Sequence, residues 1–172
     1  MEICDLYDRN RNKLENKYIR GTGMSLKNNE YTLGVDVWIK NDRNQLLLTQ
    51  RNKKKYFPLK WECTSGMVST GEDSTTAALR EVEEEIGIKL QKNEGILLTT
   101  IFYNNYLRED FNLILDVFFF QKNFDLTDTK LQEDEVIDIK WVEKSELITK
   151  FTNKEMVEPM SYVLELLDRM IC

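Results

Sequence analysis

Between Gly71 and Gly87 lies a stretch that reads as a helix by its apolar pattern and resists being one by its charge. Leu79, Val82 and Ile86 recur at the spacing that places side chains on one face when each residue advances by about 100°, while Glu81, Glu84 and Glu85 cluster on an adjacent face. Asp73 or Ser74 suits the N-cap, and Gly87 suits the left-handed residue that closes a helix. Glutamates at i, i+3 and i+4 repel by about 0.2–0.5 kcal/mol per pair, and Glu84 and Glu85 also sit in the last turn, where the helix dipole is already negative. A solvated acidic face is the ordinary explanation of a glutamate-rich helix. It leaves the dipole conflict unexplained.

A hard divalent cation among the carboxylates would resolve that conflict. The chain has no His, which excludes His general bases, Ser-His and Cys-His pairs and imidazole ligands. Oxygen ligands with no His or Cys nearby point to Mg²⁺ or Mn²⁺ rather than Zn²⁺, and Mg²⁺ commonly completes its shell with substrate phosphates. The expected partner is therefore a small phosphorylated substrate. With 24 Lys and Arg against 30 Asp and Glu, the net charge of −6 presents the wrong field to a nucleic-acid polymer.

Around this helix the pattern is mostly strand. Leu33, Val35, Val37 and Ile39 alternate with Gly34, Asp36, Trp38 and Lys40, predicting a half-buried strand joined through the turn Asn41-Asp42-Arg43-Asn44 to Gln45–Gln50. Further strands are expected at Trp61–Val68, Gly95–Tyr103, Phe111–Gln121 and Val136–Val142. Both faces of Phe111–Gln121 are apolar, the mark of a central strand. A second helix is expected from Pro159, with Met160, Val163, Leu164, Leu167 and Ile171 as its apolar stripe. Ile3–Tyr7 and Asn16–Arg20 suggest a hairpin extension over residues 1–30, ahead of a main domain over 31–172. At 172 residues, one core and a mixed sheet with packed helices is the expected α/β class.

Gly66, Gly71, Glu72, Arg80, Glu81, Glu84, Glu85, Gly87 and Ile88 stand in the order and spacing of the Nudix box, so that the chain resembles the Nudix hydrolase family. Trp61 and Trp141 extend a weaker likeness over most of the chain after about residue 30. The resemblance implies a loop-helix-loop motif on an α/β/α sandwich with a mixed sheet. It also implies metal-dependent hydrolysis of a diphosphate bond in a nucleoside diphosphate linked to another group. On this resemblance Glu81, Glu84, Glu85 and the Ser65 carbonyl are metal ligands, Arg80 and Glu72 orient the glutamates, and Gly66, Gly71 and Gly87 shape the loops. The resemblance also implies a carboxylate shortly before a Trp-containing strand that takes the proton of the attacking water; in Glu133-Asp134-Glu135 the best placed is Glu135, six residues before Trp141, with Glu81 as the other candidate and a solvated acidic loop as the ordinary reading of the run.

Two rival readings remain in this family. Arg51, Lys53-Lys54-Lys55, Phe57-Pro58 and Trp61 resemble the branch that includes isopentenyl diphosphate isomerase, but Ser65 holds the position of that enzyme's Cys and His is absent. A module that senses a nucleotide without cleaving it usually lacks one of the box glutamates, and here all are present. The lysine run reads either as a phosphate-steering patch or as a solvated turn, and Tyr56, Phe57, Trp38, Phe102 and Tyr103 as base-stacking rings or as core. Cys63 reads as a small buried residue, and Asp116, within an apolar strand, is either paired or faces a cleft. Cys4, Cys63 and Cys172 have no short spacing and suit reduced thiols in the cytoplasm. The chain start shows no signal pattern and no apolar run approaches a membrane span. The hairpin is an element that two protomers could exchange, which leaves a homodimer open.

Overall fold

The computed structural model describes residues 2–107 and 110–171, so Cys172 lies outside the described residues. Among the described residues, nine strands and three α-helices follow in chain order: β1 Ile3–Tyr7, β2 Lys13–Ile19, β3 Thr32–Lys40, β4 Leu46–Arg51, β5 Trp61–Glu62, β6 Thr64–Met67, α1 Ser74–Ile86, β7 Gly95–Tyr103, β8 Leu113–Gln121, β9 Val136–Val142, α2 Lys144–Thr152 and α3 Val163–Met170. β1 and β2 form an antiparallel pair. The other strands form a seven-stranded mixed sheet in the order β5-β4-β3-β8-β7, with β6 paired to β3 and β9 to β4. The fold is α/β.

The chain divides into two compact units. The first comprises Met1–Asp36, Ser65–Ala78 and Leu97–Phe118, and the second Val37–Thr64, Leu79–Ile96 and Phe119–Cys172. In the first, the expected hairpin is anchored by its polar residues. Asp5 on β1 is buried and accepts hydrogen bonds from Lys13 (2.7 Å), Thr70 (2.5 Å) and the Gly71 N–H (2.8 Å). Arg11, in the β1–β2 turn, forms a two-pronged ion pair at 2.7 Å with Asp116 on β8. Thr100 on β7 also donates to Asp116, at 2.6 Å. The open question about Asp116 is thus answered by pairing.

In the second unit β4 runs between β9 and β5, with Leu47 opposite Trp141 and Thr49 opposite Glu62. Leu46, Leu48, Val142 and Leu147 are buried there.

Three expectations need correction. β3 is buried over Thr32–Ile39 on both faces rather than one, because it is an inner strand whose polar Asp36 is also enclosed. The strand expected at Trp61–Val68 is broken at Cys63 into β5 and β6, which pair with β4 and β3 respectively. The terminal helix begins as a 3₁₀ turn at Glu158–Tyr162, and its buried stripe is Met160, Val163, Leu167 and Met170, with Leu164 facing solvent. The sequence reading also missed α2. Its Ser, Thr and Ile content is weak for a helix, and it forms around one fully buried anchor, Leu147.

Candidate active site

α1 starts where its cap predicts: the Asp73 carboxylate accepts the Thr76 N–H at 2.7 Å. It ends at Gly87, whose φ of +73° is the left-handed conformation that glycine adopts without steric cost. Its last carbonyls are not left to water. Gln132 donates its N–H to the Glu85 carbonyl and Lys130 donates to that of Ile86, both at 2.9 Å. These bonds fasten the acidic segment Glu133-Asp134-Glu135 to the end of the glutamate helix.

The other side of that segment is tied to the loop after β4. Asn52 donates its N–H to the Glu135 carbonyl at 2.8 Å and its side-chain amide to the Glu133 carbonyl at 2.6 Å. Lys55 then forms an ion pair with the Glu135 carboxylate. On β5, Glu62 is buried and held by Arg51 at 2.6 Å through both its oxygens.

The carboxylates differ sharply in environment. Arg80 bridges Glu81 at 2.8 Å and Glu84 at 3.0 Å, with the Glu84 side chain half exposed and that of Glu81 mostly covered. Glu85 is 6 % exposed, and its Oε2 is buried without a hydrogen-bond partner. Burial pushes the Glu85 carboxyl well above the usual range, and the negative charges of Glu62, Glu81 and Glu135 push it the same way, with Lys55 opposing. An orphaned carboxylate oxygen in the field of three more carboxylates is an unfavourable arrangement for the protein alone.

That arrangement fits a bound cation. Among the described residues no three acidic side chains converge as a finished ion cage; Arg80 pairs with Glu81 and Glu84, and Lys55 with Glu135. Donor chemistry is oxygen throughout, as Mg²⁺ and Mn²⁺ require.

A NUDIX domain model matches residues 30–167. The chain belongs to the Nudix family. It is 36% identical over 149 residues to a Listeria monocytogenes protein described as an uncharacterised Nudix hydrolase, covering 86% of this chain and 83% of that one. A Listeria innocua Nudix hydrolase is 34% identical over the same shares. Among solved structures, a Deinococcus radiodurans protein superposes with a TM-score of 0.74 at 17% identity, over 98% of this chain and 99% of that one. A MutT protein from Methanosarcina mazei does so at 0.66 and 23%, over 81% and 94%. These likenesses show the Nudix fold, and the family match makes the chain a Nudix-type hydrolase.

Glu81, Glu84 and Glu85 of α1 fall in the second unit, as does Glu135 ahead of β9. Gly66, Gly71, Glu72 and Ser65 belong to the other unit, where Glu72 accepts the Ser69 N–H at 3.1 Å and Gly71 has φ +80°. Sequence reasoning missed Glu62. Its only signal is a charged residue directly after Trp61 in an apolar strand, and nothing local says that it faces Glu85. Of the rings considered for stacking, Trp38 is fully buried and donates to the Tyr162 hydroxyl at 3.1 Å, whereas Tyr56 is 62 % exposed. Cys63 is buried, as expected of a packing residue. No helix among the described residues is long and apolar enough to cross a membrane.

Proposed function

We propose that this Nudix hydrolase cleaves a diphosphate bond in a nucleoside diphosphate linked to another group, or in a similar small diphosphate, with Mg²⁺ or Mn²⁺. The observation that carries this reading is the buried, unpartnered Oε2 of Glu85 in the field of Glu62, Glu81 and Glu135. Glu81, Glu84 and Glu85 would hold the ion. Ser65, the carbonyl ligand implied by the motif, lies in the other unit, and the reading stands on the carboxylates alone. A divalent ion bound there supplies charge stabilisation to the phosphoryl transition state and acidifies bound water.

The chain's own residues do the rest. Arg80 keeps Glu81 and Glu84 oriented while Glu85 is fixed by burial. Glu135, held through its backbone by Asn52 and with its carboxylate one-third exposed, accepts the proton of the attacking water. Separate amide substitutions test that role. Glu135→Gln should depress turnover and alter the acidic limb of the pH-rate profile with metal affinity nearly intact, whereas wild-type kinetics would return the base role to Glu81.

The deciding experiment is a screen of the purified chain with Mg²⁺ or Mn²⁺ against nucleoside triphosphates, ADP-ribose, nucleotide sugars and other diphosphates, with products identified by mass. Cleavage between phosphates that stops in chelator is the expected result. Full activity in chelator would overturn the metal role. The N-terminal hairpin and the domain from residue 31 belong to the same proposal as one hydrolytic chain, working in the cytoplasm on a small substrate.

A further inference from the structure

We propose that Lys55 is a substrate-binding residue for the phosphate chain, held in reserve on Glu135 until a divalent ion enters the site. The inference rests on the hydrolase reading and adds to it a residue outside the box, together with an order of events. Three lysines run together at 53–55, and the structure separates them. Lys54 approaches Asp134 only at 3.9 Å with both side chains largely in solvent, an ion pair of little consequence. The Lys55 side chain is 22 % exposed and its ammonium sits on Glu135. Its charge also reaches Glu85.

The placement is built by the backbone. Asn52 accepts the Lys55 N–H at 3.0 Å while donating its own N–H and its side-chain amide to the segment that carries Glu135, so one residue fixes both members of the pair. Arg51 donates to the Tyr56 carbonyl at 2.6 Å, and Lys60 donates to that of Phe57. Phe57 and Leu59 are held at φ +55° and +61°, an unfavourable conformation for bulky side chains that persists only where the surroundings over-determine it. A loop stiffened in this way delivers an ammonium to a chosen point.

At that point Lys55 serves as the protein's internal counter-ion to the carboxylates. A divalent ion among Glu81, Glu84 and Glu85 takes over that service, because it carries twice the charge. Lys55 is then electrostatically redundant for Glu135 and available to the nearest new anion, a phosphate of the substrate. Its departure also leaves Glu135 free to accept a proton. Lys55 thus exchanges Glu135 for a substrate phosphate, while the field of the ion offsets the charge that Glu135 keeps.

Two binding measurements on the intact chain with Lys55→Met test this, and neither needs turnover. Mn²⁺ titrated calorimetrically without substrate should bind about 3–10-fold more tightly to the variant, since a competing positive charge has been removed. ADP titrated in saturating Mn²⁺ should bind at least about 10-fold more weakly. Lys55→Arg, which keeps the charge, should return both affinities to within about 3-fold of the wild type. A residue that merely braces the loop would weaken both ligands together. Unchanged or weakened Mn²⁺ binding in the Met variant overturns the counter-ion role, and unchanged ADP binding overturns the phosphate role. Should the substrate screen find no hydrolysis, the Mn²⁺ titration still reads the Lys55 inference separately.

Discussion

Glu85 is the most buried of the box glutamates and, among the described residues, the one of them with an unpartnered side-chain oxygen, so the proposed metal site is tested first there. Replacing it by Gln keeps shape and removes the charge that Glu62, Glu81 and Glu135 oppose. Turnover should fall by roughly 10²–10⁴-fold, the range for loss of a positioned catalytic group. Metal-free stability should rise, because a carboxylate in a negative, dehydrated setting gives way to a neutral amide. Thermal melts with and without Mn²⁺ check this: the wild type should gain more from metal than Glu85→Gln does. Equal metal-induced shifts would remove Glu85 from the ligand set. Arg11 illustrates the opposite balance. Its guanidinium satisfies a buried Asp116 that also accepts a hydrogen bond from Thr100, so Arg11→Ala should cost about 2–3 kcal/mol in urea unfolding, somewhat below the loss of a fully buried pair because Arg11 is partly exposed.

At the scale of elements, α1 depends on how it ends. A Cβ at Gly87 would lie 3.0 Å from the Lys130 Cβ and 3.1 Å from its backbone nitrogen, the same nitrogen that donates to Ile86. Gly87→Ala therefore meets both the strained φ and a tight contact with the Lys130 backbone. Gly71 has an equally left-handed φ but nothing within 4 Å. Gly71→Ala should cost about 1 kcal/mol and Gly87→Ala measurably more, with metal affinity falling only in the latter, because the Lys130–Gln132 segment fixes the route to Glu135. Denaturant midpoints and Mn²⁺ titrations distinguish the two. The edge strand β7 differs in kind: Leu97 and Phe102 are exposed, the cost of placing an apolar strand at the end of a sheet.

Across the molecule, acid sensitivity should begin in the hairpin. Burial alone would raise the Asp5 carboxyl, but hydrogen bonds from Lys13, Thr70 and Gly71 outweigh it and lower the group to about 2. A depressed carboxyl stabilises the fold in full above its unfolded value of 3.8, and that contribution drains away as pH falls from there toward 2. Asp116 is shifted the same way: burial raises it, and hydrogen bonds from Arg11, Ser74 and Thr100 bring it below the ordinary value. Asp5→Asn should lose about 1–2 kcal/mol at neutral pH, and the gap to wild type should narrow between about pH 5 and 2. A gap that persists unchanged at pH 2 would mean that the charge is not what Asp5 contributes. By itself the sequence determined the Nudix helix, its caps, the three glutamates on one face and most strands, because helix faces and strand alternation are set by spacing along a few turns of chain. Only the tertiary structure decided that Glu62 joins the carboxylates, that Lys55 rests on Glu135 eighty residues away, and that Arg11 answers Asp116 across 105 residues. Such pairings depend on strand register and loop geometry between distant segments, and no local period records them.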